Sequence, residues 1–164
     1  MPPVENMNAS SAAEKLNHDD VWNVLAVDDD EGVLAITRLT LRGLSFEGKE
    51  IVLHCAHSGA EAREMLKRIP DIAVILLDVV METDDAGLEL VHYIRQHLKN
   101  LTTRIILRTG QPGLAPPLDV ITRHEIDGYC AKTDLSSLDL KLIVLANLRT
   151  ARLLRQLQAE GPAA

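Results

Sequence analysis

Short apolar runs alternate along the chain with segments in which apolar residues recur every three or four positions. The runs predict strands buried on both faces, and the three-to-four spacing predicts helices with one buried side. Five strands are predicted, at 22–27, 51–56, 72–77, 104–107 and 126–131. Because a helix-like segment follows each strand, the pattern predicts an α/β fold, with a doubly wound parallel sheet and five helices on its two faces.

Capping residues and prolines predict where several helices begin and end. Ser58 begins a capping box in which its side chain would accept a hydrogen bond from the Glu61 amide, and Pro70 ends the helix that follows. Apolar spacing predicts a helix over 87–98, and three prolines within 112–117 predict a short fourth helix that begins late. The segment 43–50 contains two glycines and is predicted to be a loop.

The last helix is predicted to begin at a cap, Asp134 or Ser136, and to extend to about Gln158. Three of its leucines are predicted to face the sheet: Leu138, Leu142 and Leu145. A second set alternates at spacings of three and four and predicts a coiled-coil seam: Leu140, Ile143, Asn147, Thr150, Leu154 and Leu157. Beyond Leu148 the helix is expected to have no partner within the chain. That favours a homodimer through this helix, with a frayed charged tail as the alternative.

Three parts are predicted along the chain. Residues 1–20 are polar and rich in small side chains, which is typical of a flexible tail. Residues 21–148 contain all the predicted strands and form one domain. Residues 149–164 are a helical extension or linker.

Composition narrows the classes of partner. The formal net charge of −7 and the absence of a basic, aromatic cluster argue against nucleic-acid binding. Neither a signal peptide nor an apolar stretch long enough to span a membrane is evident, so a cytoplasmic protein is expected. Aromatic residues make up only 2% of the chain, so aliphatic side chains must build the core.

Polar side chains stand at or just after the ends of four of the predicted strands. Asp28 and Asp29 follow the first strand, Asp78 the third, Thr109 the fourth and Lys132 the fifth. Ligands bind outside the carboxyl ends of the strands in such sheets, so these side chains are expected to meet. A charge at the end of an apolar run, such as Asp78, is costly unless it faces a cleft or a partner.

This set of side chains suits phosphoryl transfer. Three packed carboxylates raise one another's pKa unless a cation joins them, and oxygen ligands favour Mg²⁺, with Mn²⁺ as a substitute. A carboxylate held there could attack a phosphoryl group and form an acyl phosphate. Lys132 would supply a second positive charge, and the Thr109 hydroxyl could donate to a phosphoryl oxygen.

These motifs resemble those of bacterial response-regulator receiver domains. The likeness spans about 21–148 and is carried by Val24–Asp29, Ile75–Met81, Gly87–Leu90, Ile105–Gly110 and Tyr129–Lys132. It implies a flavodoxin-like sheet with strand order 2-1-3-4-5. It also implies phosphotransfer from a sensor histidine kinase or a phosphotransfer protein.

By this resemblance each residue acquires a role. Asp78 would accept the phosphoryl group, and Asp28, Asp29 and the backbone carbonyl of Val80 would bind Mg²⁺. Lys132 would pair with the phosphate. Thr109 and Tyr129 would shift together on phosphorylation and alter the surface formed by the fourth helix, the fifth strand and the fifth helix.

Three segments depart from the family pattern. Glu82 stands where a proline is usual, in a loop, 82–86, that is one residue longer than expected. Thr133 replaces the proline after Lys132, so a trans Lys132–Thr133 peptide bond is predicted. The segment 108–112 is unusual, and together with 78–83 it resembles receivers that precede cyclic-dinucleotide signalling domains.

Other functions remain open at this point. A haloacid-dehalogenase-like phosphatase would need a second acid two residues after Asp78, where this chain has Val80. A flavodoxin-like FMN carrier would need a phosphate-binding loop where this chain has four acids. A receiver-like module that binds partners without accepting phosphate is the third alternative. The output would come from a domain removed from this chain or from one acting in trans.

Overall fold

The computed structural model describes residues 20–110, 117–133 and 135–161. Residues 1–19 of the predicted tail and the cap candidate Asp134 lie outside these ranges. The described strands are β1 (Val21–Val27), β2 (Ser45–Phe46), β3 (Lys49–Ala56), β4 (Ile72–Asp78), β5 (Arg104–Thr109) and β6 (Gly128–Ala131). The described helices are α1 (Glu31–Leu41), α2 (Gly59–Arg68), α3 (Ala86–His92), α4 (Pro117–His124) and α5 (Ser137–Glu160), and a π-helical segment, Tyr93–His97, continues α3.

The sheet has the predicted order with one added strand. Over the described residues its order is β2-β3-β1-β4-β5-β6, and β3, β1, β4, β5 and β6 are parallel to their neighbours. The added strand, β2, is antiparallel to β3 and lies in the segment predicted to be a loop. Glu47 and Gly48 have φ angles of 51° and 76°. Positive φ at both central residues allows the two-residue turn that joins β2 to β3.

Apolar layers cover both faces of the sheet. Leu25, Ile75 and Leu77 face a cluster that includes Leu90 and Ile94 of the α3 segment. The alternate strand residues face α1 and α5 on the other side. All seven residues of β4 are buried, which confirms the central strand predicted from its continuous apolar run.

The described helix ends follow local capping rules. The Ser58 side chain accepts from the Glu61 amide at 3.1 Å, as predicted. Ser136 caps α5 in a reciprocal capping box with Asp139. The fourth helix is short and begins late, at Pro117, as the prolines predicted. None of the described helices is long and apolar enough to cross a membrane.

The predicted faces of α5 are wrong at Leu138, Leu140 and Leu142, whereas Leu145 packs against the sheet-side core as predicted. Leu140, assigned to the coiled-coil seam, is buried against the sheet together with Val144, Leu148 and Ala151. Two leucines predicted to face the sheet are instead exposed: Leu138 at 63% and Leu142 at 56%. The buried positions recur at spacings of four, four and three, so they lie along one side of the helix and pack into the core, although their side chains differ in size.

The predicted lack of a partner for α5 beyond Leu148 is also wrong. Ala151 is fully buried, and the Arg155 guanidinium donates to the Asp71 carbonyl at 2.7 Å. The same guanidinium lies 5.6 Å from the centre of the Trp22 ring. Helix α5 is therefore held against the domain until its last turns.

Candidate phosphoacceptor site

The carboxyl ends of β1, β4 and β6 bring four charged side chains together at one edge of the sheet. Asp28 and Asp29 directly follow β1, Asp78 ends β4, and Lys132 directly follows β6. One oxygen from each of Asp28, Asp29 and Asp78 lies within 4.8 Å of the others. The order of the parallel strands produces this cluster, because β1 lies directly beside β4.

Lys132 connects the two buried acids of this cluster. Its Nζ lies 2.7 Å from Asp28 Oδ2 and 3.0 Å from Asp78 Oδ2. Asp28 and Asp78 are 2% and 5% exposed, whereas Asp29 lies at the solvent side. Three carboxylates against one ammonium leave a net negative charge that a divalent cation would neutralise.

Burial and charge shift the titration of this group. Burial raises the pKa of Asp78, the hydrogen bond from Lys132 opposes that rise, and the Asp28 carboxylate adds to it. Burial lowers the pKa of Lys132, but its bonds to Asp28 and Asp78 outweigh this and raise it above its usual value. Lys132 therefore stays an ammonium at neutral pH, while ionisation of Asp78 carries a cost that a cation would relieve.

The donor set fits Mg²⁺. The cluster offers only carboxylate oxygens, without a histidine or thiol, and an all-oxygen site with an open, water-accessible side suits a small hard cation. Val80 lies two residues after Asp78, in the segment that joins β4 to α3, and its side chain is 40% exposed.

The four consecutive acids after β1 have separate structural contacts. Asp28 accepts from the Asp30 amide at 3.0 Å, and Asp30 in turn caps α1 by accepting from the Gly32 amide at 2.8 Å. Glu31 lies 2.7 Å from Nε2 of His57. Asp30 and Glu31 therefore hold the loop and α1 in place, which leaves Asp28 and Asp29 as the acids that face Asp78.

Glu82, which replaces the usual proline, contacts the neighbouring helix. Its Oε1 accepts a hydrogen bond from the Gly59 amide at 2.8 Å, at the first residue of α2. A carboxylate at a helix N-terminus is favourable because the first amide groups have no partner within the helix. Sequence reasoning missed this contact, since a surface loop residue gives no local signal of a bond to a residue 23 positions earlier.

Gly87 supports the strand end that carries Asp78. A Cβ at this position would lie 2.2 Å from the Asp78 carbonyl oxygen and 2.8 Å from the Val79 Cα. The Gly87 amide also donates to the Val79 carbonyl at 3.0 Å. The start of α3 can therefore approach the end of β4 this closely only without a side chain.

The structure places Thr109 and Tyr129 on adjacent strands. Thr109 ends β5, is 5% exposed, and accepts from the Lys132 amide through its carbonyl at 2.8 Å. Tyr129 is half-buried in β6, against the core on the α3 side. The described peptide bonds include no cis bond, so Lys132–Thr133 is trans as predicted.

Comparison with known proteins identifies the family. The sequence profile of the response regulator receiver domain family matches residues 24–144. The chain therefore belongs to the response regulator receiver family and is a phosphoacceptor receiver of two-component signalling.

The chain is also similar to part of a larger protein. The 3'3'-cGAMP-specific phosphodiesterase 2 of Vibrio cholerae serotype O1 is 44% identical over 151 residues, which are 90% of this chain and 29% of that protein. The chain thus spans less than a third of that relative's length.

Two crystal structures share the fold. The signal receiver domain of an HD domain-containing protein from Pseudomonas fluorescens Pf-5 has a TM-score of 0.71 at 24% identity, over 84% of this chain and 93% of that one. A CheY-like receiver domain protein from Methanospirillum hungatei JF-1 has a TM-score of 0.64 at 23% identity, over 80% of this chain and 97% of that one.

Proposed function

We propose that Asp78 is the phosphoryl acceptor, and that Asp28, Asp29 and the Val80 carbonyl bind Mg²⁺. Lys132 and Thr109 would hold the phosphoryl group once it is attached. The observation that carries this assignment is the ammonium of Lys132, which lies within 3.0 Å of both Asp28 Oδ2 and Asp78 Oδ2. Mg²⁺, or Mn²⁺ in its place, supplies the charge that offsets the acids and the transferring phosphoryl group.

The reaction is a phosphoryl transfer from a phosphohistidine. A carboxylate oxygen of Asp78 attacks the phosphorus atom, the phosphorus–nitrogen bond breaks, and the electron pair of that bond returns to the histidine nitrogen. The donor is a sensor histidine kinase or a phosphotransfer protein. Lys132 is positioned to exchange its contact with the Asp78 carboxylate for one with a phosphoryl oxygen, and its raised pKa keeps it charged through this exchange.

The switch would follow from the new charge at Asp78. Thr109 is one residue past Arg108, the register partner of Asp78 on β5, so its hydroxyl is a candidate donor to the phosphoryl group. Movement of Thr109 would be passed to Tyr129, since β5 and β6 are paired at their ends. The responding surface would then be formed by α4, β6 and the start of α5.

Acetyl phosphate with intact-protein mass spectrometry tests the acceptor. With Mg²⁺ the wild type should gain one phosphoryl group, and Asp78→Asn should gain none. Asp84→Asn, an exposed acid in the nearby loop, is the matched control and should label like the wild type. Labelling of Asp78→Asn would refute the assignment. No labelling of either protein, even with a cognate donor, would favour a module that binds partners without phosphate.

We also propose that this receiver controls a phosphodiesterase of the kind named for the Vibrio cholerae relative. The 44% identity over 90% of this chain supports this output. A chimera in which the chain replaces the matching segment of that protein tests it. Hydrolysis of 3'3'-cGAMP should change on phosphorylation of the chimera, and the same chimera with Asp78→Asn should not respond. Equal rates in all states would exclude this output.

A further inference from the structure

A small cavity lies between α1 and the beginning of α5, on one face of the sheet. Its volume is about 120 Å³. Its polar lining consists of Thr40, Arg108, Lys132, Ser136 and Ser137. At roughly 30 Å³ per water molecule, the cavity has room for one small ion with water but not for a nucleotide.

Arg108 is the unusual member of this lining. Its side chain comes from β5, it is only 6% exposed, and its Nη1 donates to the Thr37 hydroxyl at 2.8 Å. Its Nε is buried without a hydrogen-bond partner. Among the described residues, no carboxylate lies within ion-pair distance of this guanidinium. A buried cation without an anion is costly, so this site favours a negatively charged occupant.

The other polar groups that line the cavity also suit an anion. Ser136, the cap of the 24-residue helix α5, and Ser137, its first residue, line the cavity. The amide groups of the first turn carry a partial positive charge, part of which the Asp139 carboxylate of the capping box offsets. Lys132 adds positive charge, although its Nζ is paired with Asp28 and Asp78. Among the described residues that line the cavity, Arg108 is therefore the cation without a carboxylate partner.

We propose that this cavity binds a small oxyanion of the phosphate type, with Arg108 as its main partner. The planar guanidinium offers several N–H groups to oxyanions, and the hydroxyls of Thr40 and Ser137 complete the donor set. Arg108 is not a member of the acid cluster, and binding at this cavity does not depend on phosphorylation of Asp78. Because Lys132 lines the cavity and also contacts Asp78, a bound anion would influence the position of this lysine.

Thermal unfolding with inorganic phosphate tests the site. The measurement is made in EDTA, because the metal-free acid cluster repels phosphate, and against sodium chloride of equal ionic strength. At about ten times its Kd, phosphate should raise the Tm of the wild type by about 3–6 °C. Arg108→Gln should lose this increment, whereas Arg123→Gln, an exposed arginine on α4, should retain it.

Nuclear magnetic resonance of the wild type provides a second measurement that needs no folded variant. Phosphate should shift the Arg108 Nε–H and Ser137 amide signals along a saturable curve. Unchanged signals at these two groups would overturn the proposal. So would an equal Tm increment in wild type and a folded Arg108→Gln, or an equal increment with chloride.

Discussion

The ammonium of Lys132 lies 2.7 Å from Asp28 Oδ2 and 3.0 Å from Asp78 Oδ2, so one cation holds two buried carboxylates together. Asp29 adds a third carboxylate at the solvent side. The cluster therefore carries more negative than positive charge, and the repulsion among its carboxylates opposes the stability of the metal-free fold.

Asp78→Asn should stabilise the metal-free protein at neutral pH. Burial raises the pKa of Asp78 above its value in the unfolded chain. Ionising it therefore costs more in the folded state, and this penalty is present above the folded pKa and disappears below the unfolded one. The expected gain is about 0.5–2 kcal/mol in the free energy of unfolding, measured by urea denaturation in EDTA.

Millimolar Mg²⁺ should reverse this ranking, because its binding to the folded wild type would relieve the carboxylate repulsion. Asp84→Asn should match the wild type in both conditions, because this side chain is exposed outside the cluster. A less stable Asp78→Asn in EDTA, or a wild-type Tm that ignores Mg²⁺, would contradict the account of the acid cluster.

Gly87→Ala should lower the free energy of unfolding by about 2–4 kcal/mol and reduce the phosphorylation rate of Asp78. The added Cβ would lie 2.2 Å from the Asp78 carbonyl oxygen, so α3 and the end of β4 must separate. Gly110→Ala is the control for stability, since its Cβ would meet the Lys132 Cδ at an ordinary 3.7 Å. Equal urea midpoints for the two variants would show that the close approach is not required.

His57→Gln should remove a pH-dependent part of the stability. The hydrogen bonds that the His57 ring donates to Glu31 and then to Glu61 raise the pKa of His57 above its unfolded value. The contribution of the charged imidazole is therefore complete below the unfolded pKa and is lost as pH rises through the folded one. Urea denaturation at several pH values, from below the unfolded pKa of His57 to above its folded pKa, should show this. The free energy of unfolding of the wild type should exceed that of His57→Gln by an amount that declines as the pH rises.

Glu64→Gln provides the comparison for His57, because Glu64 pairs with Lys67 and not with a histidine. Its effect should stay constant near neutral pH. A difference between wild type and His57→Gln that is the same at every pH would mean that the histidine acts through packing or neutral hydrogen bonds alone.

The sheet and the acid cluster could be predicted because each rests on short-range pattern. Continuous apolar runs fix the strands, and the polar residue after each run falls at the sheet edge whatever the details of packing. The contact of Glu82 with Gly59 and the burial of Arg108 depend on residues distant in sequence, so no local pattern contains them. The turn at Glu47–Gly48 did carry a local signal, a glycine in a two-residue connection, and the loop prediction overlooked it.

The prediction of the buried face of helix α5 failed for a different reason. Leucine occurs on several of its faces, and the prediction gave weight to leucine rather than to the smaller Val144 and Ala151, which are fully buried. A small residue lets a helix approach a sheet closely, so the largest apolar side chains of a helix are not necessarily the most buried ones. In the structure, the exposed leucines of α5 are Leu138, Leu142, Leu153 and Leu157.

A homodimer through α5 is the last prediction, now placed on the exposed leucines near its end. Leu153 and Leu157 are 48% and 65% exposed and lie one helical turn apart. Burying a fully exposed leucine contributes roughly 1.5–3 kcal/mol. These two are already partly buried and would contribute less, so the expected symmetric contact is weak. Light scattering should give the mass of two chains at high protein concentration, and Leu153→Gln with Leu157→Gln should give the mass of one. Leu118→Gln, an exposed leucine on α4, should leave the dimer intact. A wild type that stays monomeric at every concentration would contradict a dimer through this face.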